Sequence, residues 1–494
     1  MNALADFCFP ARIAAAALML AMLTGCATFR SYDSELSKTI NLAAAGNVDG
    51  AIKQLQSNNK RGSKDLLYYL EMGELQRLKY RYDESEKAWM TADAQVQAWE
   101  KTAVTNPEKL LGGVTSVVLN DKSMPYQGHD YEKVMLTTRL ALDHLASGDF
   151  DTARVDIKRT HEREAVIAEL RRKELQKTEE EANKHGAKTS FKELNGYPVQ
   201  TIDSPEINAL KNSYESAFSH YLAGFIYEAL GEPSLAAAGY RQAIELQPNR
   251  PQLEDALAGL DSRVAAAADG FTDVLFVLES GTAPARQSKQ FSLPFPYRDR
   301  LLFVSVSFPV MAPTQPSFMP TQLQIQGEAP VSTTVITSID LMARKALQEE
   351  MPGIVLRGII RSSSKAIAQY QASKNDQTGL AGLAIAIGSI VTESADERTW
   401  RSLPAQIAIA RARIPSGEHT IGFGATPGGQ DIRFSVSGRY AVVGLRFLGG
   451  TTFALVPRAA PAGKPGPETS GHPRMAEPST PPAREAFDSV SALF

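Results

Sequence analysis

The sequence predicts a multidomain protein in which an all-α helical solenoid is followed by a β-rich α+β domain and a disordered proline-rich tail. Three observations support this fold class. Similar turns recur between helical segments up to about residue 262, the apolar pattern changes to period two from about residue 270, and residues 457–483 contain eight prolines. The predicted boundaries are 1–25 for a signal peptide, 26–266 for the solenoid, 267–456 for the α+β domain and 457–494 for the tail.

The composition is that of ordinary globular domains. Hydrophobic residues make up 43% of the 494 residues and charged residues 22%, and the net charge is -3. These values exclude a wholly disordered or fibrous chain. The lack of a basic block argues against a nucleic-acid-binding protein. No apolar stretch beyond the N-terminus is long enough to span a bilayer, which argues against an integral transporter.

The N-terminus has the pattern of a bacterial lipoprotein signal. Arg12 precedes a short apolar run, and Leu23-Thr24-Gly25-Cys26 follows where that run ends. This tetrapeptide resembles the lipobox, in which the cysteine is lipidated and becomes the first residue of the mature chain. We expect acylation of Cys26 rather than a plain secretory signal. We also expect outer-membrane sorting, since Ala27 is not the aspartate that retains lipoproteins at the inner membrane.

The only other cysteine is Cys8, within the predicted signal peptide. If Cys26 is acylated, the mature chain therefore contains no free thiol and no disulfide. This excludes cysteine catalysis and metal sites built from cysteine. Several acyl chains on one cysteine would anchor the protein firmly to a lipid bilayer.

The best repeat in the helical region spans Phe218 to Pro248. Its small, aromatic and proline residues fall at the spacings of a tetratricopeptide repeat: Gly224, Tyr227, Ala236, Tyr240, Ala243 and Pro248. In that pattern small residues lie where two helices cross, and the proline ends the second helix. Weaker copies at residues 32–65, 66–99 and 134–167 give about four units, and about three are needed for a continuous core.

Two insertions interrupt the predicted repeats. Residues 104–130 contain several prolines and glycines and indicate irregular structure. Residues 162–184 are rich in both charges and predict a long solvated helix that ends near Gly186. Both segments would lie outside the regular helical hairpins.

From about residue 270 the sequence predicts alternating strands and helices. The predicted strands are 274–278, 301–308, 323–325, 354–360, 405–414, 419–423, 432–436, 440–447 and 452–456. A helix is predicted over Ile339 to Met351, where Pro352 would end it, and another over residues 362–373. Together these elements predict a mixed α+β domain of about 185 residues, which is enough for its own core.

One candidate binding surface lies on the first helix of the best repeat. Phe218, Tyr221 and Phe225 fall at i, i+3 and i+7 and form an apolar stripe. In tetratricopeptide geometry these positions line a concave groove. If the groove is open, it would bind a peptide of a partner protein. If it is covered, the stripe would form the seam with the C-terminal domain.

Most signatures of enzymes are missing from the sequence. His161-Glu162-Arg163-Glu164-Ala165 begins like the zinc motif HExxH but lacks the second histidine. There is no P-loop and no G-x-S-x-G turn. His220 occupies a packing position of the best repeat and is interpreted as a core histidine. We therefore expect no catalytic residue, no metal and no cofactor, although an enzyme is not excluded.

One polar cluster supports an alternative function. It comprises Arg357, Arg361, Asp396, Arg398 and Arg401. Buried together, these side chains would bind an anionic ligand or form an acid–base pair. Structural ion pairing at a domain seam would explain the same residues.

Three segments also resemble a family of bacterial outer-membrane lipoproteins with tetratricopeptide-like N-terminal halves. These segments are Tyr126–Val134, Glu279–Pro284 and Ala395–Pro404. The resemblance implies no particular activity for any residue. Members of the family are often encoded near a lipoprotein activator of penicillin-binding proteins, which implies a role in the cell envelope.

The sequence thus favours a lipid-anchored scaffold on the periplasmic face of the outer membrane. We expect its solenoid to recruit an unidentified envelope protein, in envelope assembly or peptidoglycan synthesis, and we expect no nucleic-acid partner. The alternative is a ligand-binding protein or enzyme whose site lies in the C-terminal domain.

Overall fold

The computed structural model describes the chain in separate ranges. They are residues 30–60, 64–105, 122, 124–266, 269–297, 300–375, 394–423 and 431–456, without the side chains of 293–304 and 364–375. Cys26 and the tail at 457–494 lie outside these ranges, so acylation and tail disorder stay predictions. All of the described ranges belong to one compact unit.

The N-terminal part of the described chain is helical, as predicted. Its helices are α1 (Tyr32–Ala44), α2 (Val48–Asn58), α3 (Leu66–Leu78), α4 (Tyr82–Thr105), α5 (Asp130–Ala146), α6 (Phe150–His185), α7 (Pro205–Asn208), α8 (Ala217–Ala229), α9 (Pro233–Leu246), α10 (Pro251–Ala258) and α11 (Leu260–Ala265). Short 3₁₀ turns lie between α6 and α7. Within the described ranges, no helix is long and apolar enough to cross a membrane.

Local chemistry at three turns explains why the helices form hairpins. Gly46, Gly148 and Gly231 each have φ between 74° and 79°, a region that glycine enters without steric cost. Asn47 and Asp149 follow two of these glycines, and each side chain accepts a hydrogen bond from a backbone amide three residues later. Each such bond caps the next helix, so that one helix ends and its antiparallel neighbour begins within a few residues.

Helices α8 and α9 approach each other closely because glycines lie on both. Gly224 faces the ring of Tyr240, and the backbone of α8 lies against Gly239. A Cβ atom on Gly239 would lie 2.7 Å from the Gly224 nitrogen and 2.8 Å from the carbonyl oxygen of His220. The same arrangement recurs between α3 and α4, where Gly73 faces the buried ring of Trp89.

Helix α6 contains the charged run of the sequence and ends at Gly186, which is left-handed with φ of 58°. The helix was predicted, but its charged face is only partly solvated. Arg163 is buried and binds Asp93 at 2.7 Å and Glu100 at 3.0 Å on helix α4. The charges of α6 therefore hold helices together rather than serving only as a solvated surface.

The C-terminal part combines strands with one long helix. The strands are β1 (Phe271–Ser280), β2 (Arg286–Tyr297), β3 (Arg300–Met311), β4 (Gln322–Ile325), β5 (Val331–Ser332), β6 (Thr334–Ser338), β7 (Gln406–Pro415), β8 (Gly417–Gly422), β9 (Ile432–Val436), β10 (Tyr440–Leu448) and β11 (Thr451–Leu455). They form a five-stranded sheet in the order β11-β10-β1-β7-β6, a four-stranded sheet in the order β5-β4-β8-β9, and the hairpin β2-β3. Strand β1 is parallel to β10 and antiparallel to β7.

The five-stranded sheet lies between the helices and the smaller sheet. Alternating residues of β1 belong to two different cores, because successive side chains of a strand point to opposite faces. Leu275 and Val277 pack with residues of the helices. Val274, Phe276 and Leu278 pack with residues of the four-stranded sheet. The fold is therefore a helical layer and two layers of β-structure.

The long helix α12 (Ile339–Asn375) corrects the prediction that Pro352 ends a helix. Pro352 lies inside α12, and residues 354–360 are helical rather than a strand. Proline removes one backbone hydrogen bond from the preceding turn, and buried contacts offset this loss here. Met351 and Val355, on either side of the proline, are both buried in the main core.

The helical face of the sheet also contains a cluster of buried charges around Glu279. Arg77 on α3 donates to Glu279 at 3.0 Å, and Arg139 on α5 donates to its other carboxylate oxygen. Burial alone would raise the pKa of Glu279, but the positive charges of Arg139, Arg77 and Arg446 outweigh it and hold this pKa below its usual range. Glu74 and Asp143 also bind Arg77. The cluster thus contains three carboxylates, including Glu279, and the three arginines Arg77, Arg139 and Arg446. This Glu279 cluster joins α3 and α5 to β1 and β10.

The close approach of α8 and α9 predicts that Gly239→Ala destabilises the protein. Helix propensity alone would favour alanine by about 1 kcal/mol. The added methyl group would meet the backbone of α8, and we expect a net loss of about 1–3 kcal/mol in the free energy of unfolding. Chemical denaturation of the full chain measures this loss. Gly450→Ala is the control, since no atom lies within 4 Å of the position that its added methyl group would take; equal midpoints for the two variants would contradict the prediction.

Candidate functional site

The candidate site is a polar cavity of about 240 Å³ at the junction of α5, α6, α12 and the segment at residues 394–403, called here the anchored segment. Charged side chains dominate its wall. The cationic ones are Lys133, Arg171, Arg286, Arg357 and Arg398, and the acidic ones are Asp130, Glu174, Glu350 and Asp396. His129, Tyr126 and Trp99 also line the cavity.

Two buried carboxylates of the helical layer hold the anchored segment in place. Glu132 on α5 accepts hydrogen bonds from the backbone amide of Trp400 at 2.7 Å and from the hydroxyl of Thr399 at 3.1 Å. Glu71 on α3 accepts from the backbone amide of Arg401 at 2.6 Å. Such bonds replace the strand or helix pairing that a buried backbone otherwise needs. The anchored segment is therefore ordered without regular secondary structure.

His129, which immediately precedes α5, links the anchored segment to α12. Its Nδ1 lies 3.1 Å from a carboxylate oxygen of Glu350, and its Nε2 lies 3.0 Å from the carbonyl oxygen of Arg398. Its backbone amide donates to Glu132 at 3.1 Å. One histidine thus contacts three of the elements that form the cavity.

Glu350 contacts three basic side chains of the cavity wall. It accepts from Arg286 at 2.7 Å and from Arg171 at 3.3 Å, in addition to its contact with His129. Burial would raise the pKa of Glu350, but the positive charge of Arg286 and the bond to His129 outweigh it and hold this pKa well below its usual range. Glu350 is therefore ionised at neutral pH.

Arg286 retains hydrogen-bonding capacity beyond this ion pair. Its side chain is only 3% exposed and lines the cavity. Nη1 donates to Glu350, whereas Nε and Nη2 have no hydrogen-bond partner among the described residues. Buried guanidinium donors are costly to leave unpaired. Arg286 therefore has two N–H donors that an additional anionic partner would satisfy.

The structure brings together three of the five residues in the predicted polar cluster. Arg357, Asp396 and Arg398 line the cavity, and Arg398 binds Asp396 at 2.7 Å. Arg361 is buried in α12 away from the cavity wall. Arg401 points elsewhere, because its guanidinium binds Asp33 at 2.7 Å and donates to a backbone carbonyl of the β1–β2 connection.

The predicted partner groove is not open. Phe218, Tyr221 and Phe225 are at most 1% exposed. The ring of Phe225 contacts the ring of Tyr440 on β10 at 5.6 Å, and the guanidinium of Arg411 on β7 lies 5.0 Å from its centre. The hypothesis of an accessible peptide groove is therefore wrong for these residues. They form the seam with the five-stranded sheet, which was the other interpretation of the stripe.

Sequence reasoning missed several residues of the cavity wall. His129 and Asp130 end the predicted irregular insertion and lie, with Lys133, in a segment noted for its family resemblance, whereas Arg286 and Glu350 carried no signal. Residues 126–134 and 395–404 are about 270 positions apart, yet both contribute to the cavity. Their shared resemblance was the one available sign that they act together.

Two comparisons with known proteins gave no relative. No protein-family model matches the chain, and no curated protein matches it.

The environment of Glu71 generates a prediction about pH. Burial raises the pKa of Glu71 to about 7, although hydrogen bonds from Ser402 and the amide of Arg401 oppose the rise. Between about pH 4.5 and pH 7, Glu71 of the folded chain therefore keeps a proton that the same residue of the unfolded chain has lost. The contribution of Glu71 protonation to the free energy of unfolding is greatest below pH 4.5 and decreases as the pH rises to about 7.

We expect Glu71→Gln to match the wild type near pH 5 and to exceed its free energy of unfolding at pH 8 by about 1–3 kcal/mol. Glutamine retains the oxygen that accepts from Arg401 but carries no charge. Denaturation of both proteins at the two pH values measures the difference. Glu84→Gln, at an exposed position, controls for the loss of one carboxylate. An equal offset of Glu71→Gln at both pH values would contradict this account.

Proposed function

We propose that this protein is a lipid-anchored component of the bacterial cell envelope that binds a small anionic ligand in the polar cavity. The observation that carries the proposal is the charge of the cavity wall. Five cationic side chains face four carboxylates, and buried Arg286 has two nitrogens without a hydrogen-bond partner among the described residues. This is the alternative that the polar cluster of the sequence suggested.

The excess of cationic side chains in the wall supports a negatively charged ligand, although several of these cations already bind carboxylates of the protein. Asp130 is bound by Lys133 and Arg171, Glu350 by Arg286 and Arg171, and each of these contacts uses a carboxylate of the protein itself. The wall has five cationic side chains and four carboxylates, an excess of one positive charge before His129 is counted. A carboxylate or phosphate would balance this charge, and arginine binds both groups through paired hydrogen bonds.

The size of the cavity limits the ligand. Its volume of about 240 Å³ is below the range of about 300–1,000 Å³ that is usual for drug-sized ligands. The ligand is therefore either a small anion or the charged end of a larger molecule. Trp99 and Tyr126 add aromatic surface beside the charges, which favours an organic ligand over a bare inorganic ion.

We also assign the helical region to the tetratricopeptide-like class. The glycine contacts within α3–α4 and α8–α9 support this assignment, since small residues at helix crossings belong to that repeat pattern. A scaffold function for the solenoid would need a surface other than Phe218, Tyr221 and Phe225, because the sheet covers these residues. Its partner would be an envelope protein, in assembly or peptidoglycan synthesis.

Loss of one cavity cation should weaken binding of an anion. Arg171→Gln and Arg357→Gln each remove a positive charge from the wall, and we expect affinity for a probe anion to decrease about 10-fold, as for the loss of one charge-assisted hydrogen bond. The measurement is the shift of the melting temperature with inorganic phosphate and, separately, with glutarate. Arg172→Gln is the matched control, since Arg172 is exposed beside Arg171 and binds Glu169. The same shift in all four proteins would refute the proposed site.

The proposed anchor makes a separate prediction. Cys26→Ala should abolish incorporation of labelled palmitate and release the protein from the outer-membrane fraction, because the thiolate that receives the lipid is gone. Cys8→Ala should leave labelling and fractionation unchanged, since this residue lies in the predicted signal peptide. Fractionation and fluorography of expressing bacteria measure both. Labelled, membrane-bound Cys26→Ala would exclude acylation at this cysteine.

A further inference from the structure

Two histidines and a glutamate converge between helices α6 and α8, outside the polar cavity. His161 and Glu164 lie three residues apart on α6, and His220 lies on α8. One ligand atom from each side chain can be chosen so that all three lie within 4.8 Å of one another. Glu164 and His220 are buried, and His161 is half-buried. His161 is therefore the member of the cluster that is most accessible to solvent.

Each of the three side chains has an unsatisfied buried atom. Nε2 of His161, Oε1 of Glu164 and Nε2 of His220 have no hydrogen-bond partner among the described residues. Nε2 of His220 does lie 3.3 Å from Oε2 of Glu164, but not in the geometry of a hydrogen bond. The imidazole rings stack with their centres 4.9 Å apart. Buried polar atoms usually have a partner, so three such atoms in one cluster require an explanation.

The helices that carry these residues are held in position by adjacent hydroxyl groups. Thr160 donates to Thr137 at 2.7 Å, and Ser219 lies 2.8 Å from the hydroxyl of Thr138. Thr160 and Ser219 immediately precede His161 and His220, and both partners are consecutive residues of α5. Helix α5 therefore fixes the spacing of the two histidines independently of their own contacts. The backbone beside both histidines is thus held in place, and rotation of the stacked imidazole rings about their side-chain bonds would direct both at one ion.

We propose that His161, Glu164 and His220 form a binding site for a divalent transition-metal ion, with Zn²⁺ as the best fit. Imidazole nitrogen and carboxylate oxygen are both common zinc ligands, at about 2.0–2.2 Å. An ion at the centre would give a shared partner to the three atoms that lack a hydrogen bond. Two histidines and one carboxylate leave a fourth position for water or a ligand atom, as in catalytic zinc sites.

This site is not recognisable in the sequence, because its ligands come from two helices that are distant along the chain. The pair His161 and Glu164 was visible, whereas the missing histidine of the HExxH pattern is supplied by His220, 59 positions later. Carboxylate and imidazole ligands from two packed helices are a recurring arrangement in helical metal sites.

The test is Zn²⁺ binding by the full-length protein, purified in detergent and stripped of metal with a chelator. After reloading with Zn²⁺ and removal of the excess, we expect one Zn²⁺ per chain by elemental analysis. The reloaded protein should also have a higher melting temperature than the metal-free protein. Co²⁺ should give visible absorption of a four- or five-coordinate ion. His161→Asn, Glu164→Gln and His220→Asn should each reduce Zn²⁺ affinity at least 10-fold in calorimetric titration.

His144→Asn is the matched control, because His144 also lies beside carboxylates, 3.4 Å from Asp156 and 3.9 Å from Glu86. It should bind Zn²⁺ like the wild type. Circular dichroism checks folding, and half-buried His161 provides a variant that spares the core if His220→Asn does not fold. Absence of stoichiometric Zn²⁺ in the wild type, or unchanged affinity in His161→Asn and Glu164→Gln, would overturn the proposal. Either result would leave a His–Glu contact or a bound water as the partner of these atoms.

Discussion

The arrangement of the described chain depends on the charge balance around Glu279. Three arginines and three carboxylates lie there away from water, on the face of the sheet that the helices cover. Removing one member would leave an uncompensated buried charge, which is far more costly than losing a surface ion pair. Arg77 and Arg139 come from the helices, whereas Glu279 and Arg446 come from the sheet. Arg77 and Arg139 also pair with Glu74 and Asp143 within the helices, but they reach Glu279 only when the two layers meet in one register.

The polar cavity follows from this docking of layers. Once α3 and α5 lie on the sheet, Glu71 and Glu132 face the chain between α12 and β7 and bind its backbone amides. The anchored segment then presents Asp396 and Arg398 beside α5 and α12. No single element forms the cavity, and the charged side chains that line it come from five separate parts of the chain.

Local features of the sequence predicted most elements but few of their contacts. The turns at Gly46 and Gly148 and the end of α6 at Gly186 depend on backbone conformations that glycine favours, so they could be recognised without tertiary information. The strand pattern of β1 was equally clear. Pro352 was misleading, because the loss of one hydrogen bond does not break a helix whose neighbouring residues are buried. Phe225 shows what local patterns cannot predict. The helical periodicity of its stripe identifies an apolar face, but a strand more than 200 residues later determines whether that face is exposed. Arg401 and Arg357 belong to the same predicted cluster, yet Arg357 lines the cavity and Arg401 binds Asp33.

The order of strands in the central sheet has a consequence for the growing chain. Strand β1 pairs with β7 and β10, whose residues follow it by more than 120 positions. During synthesis the helices are complete long before β10 exists, so the aromatic stripe of α8 is without its cover throughout that interval. Contacts of such long sequence separation form slowly, and exposed apolar surface promotes aggregation meanwhile. A chain that folds after crossing a membrane would meet the same delay, and the aromatic stripe of its helical half would stay uncovered until the sheet closes.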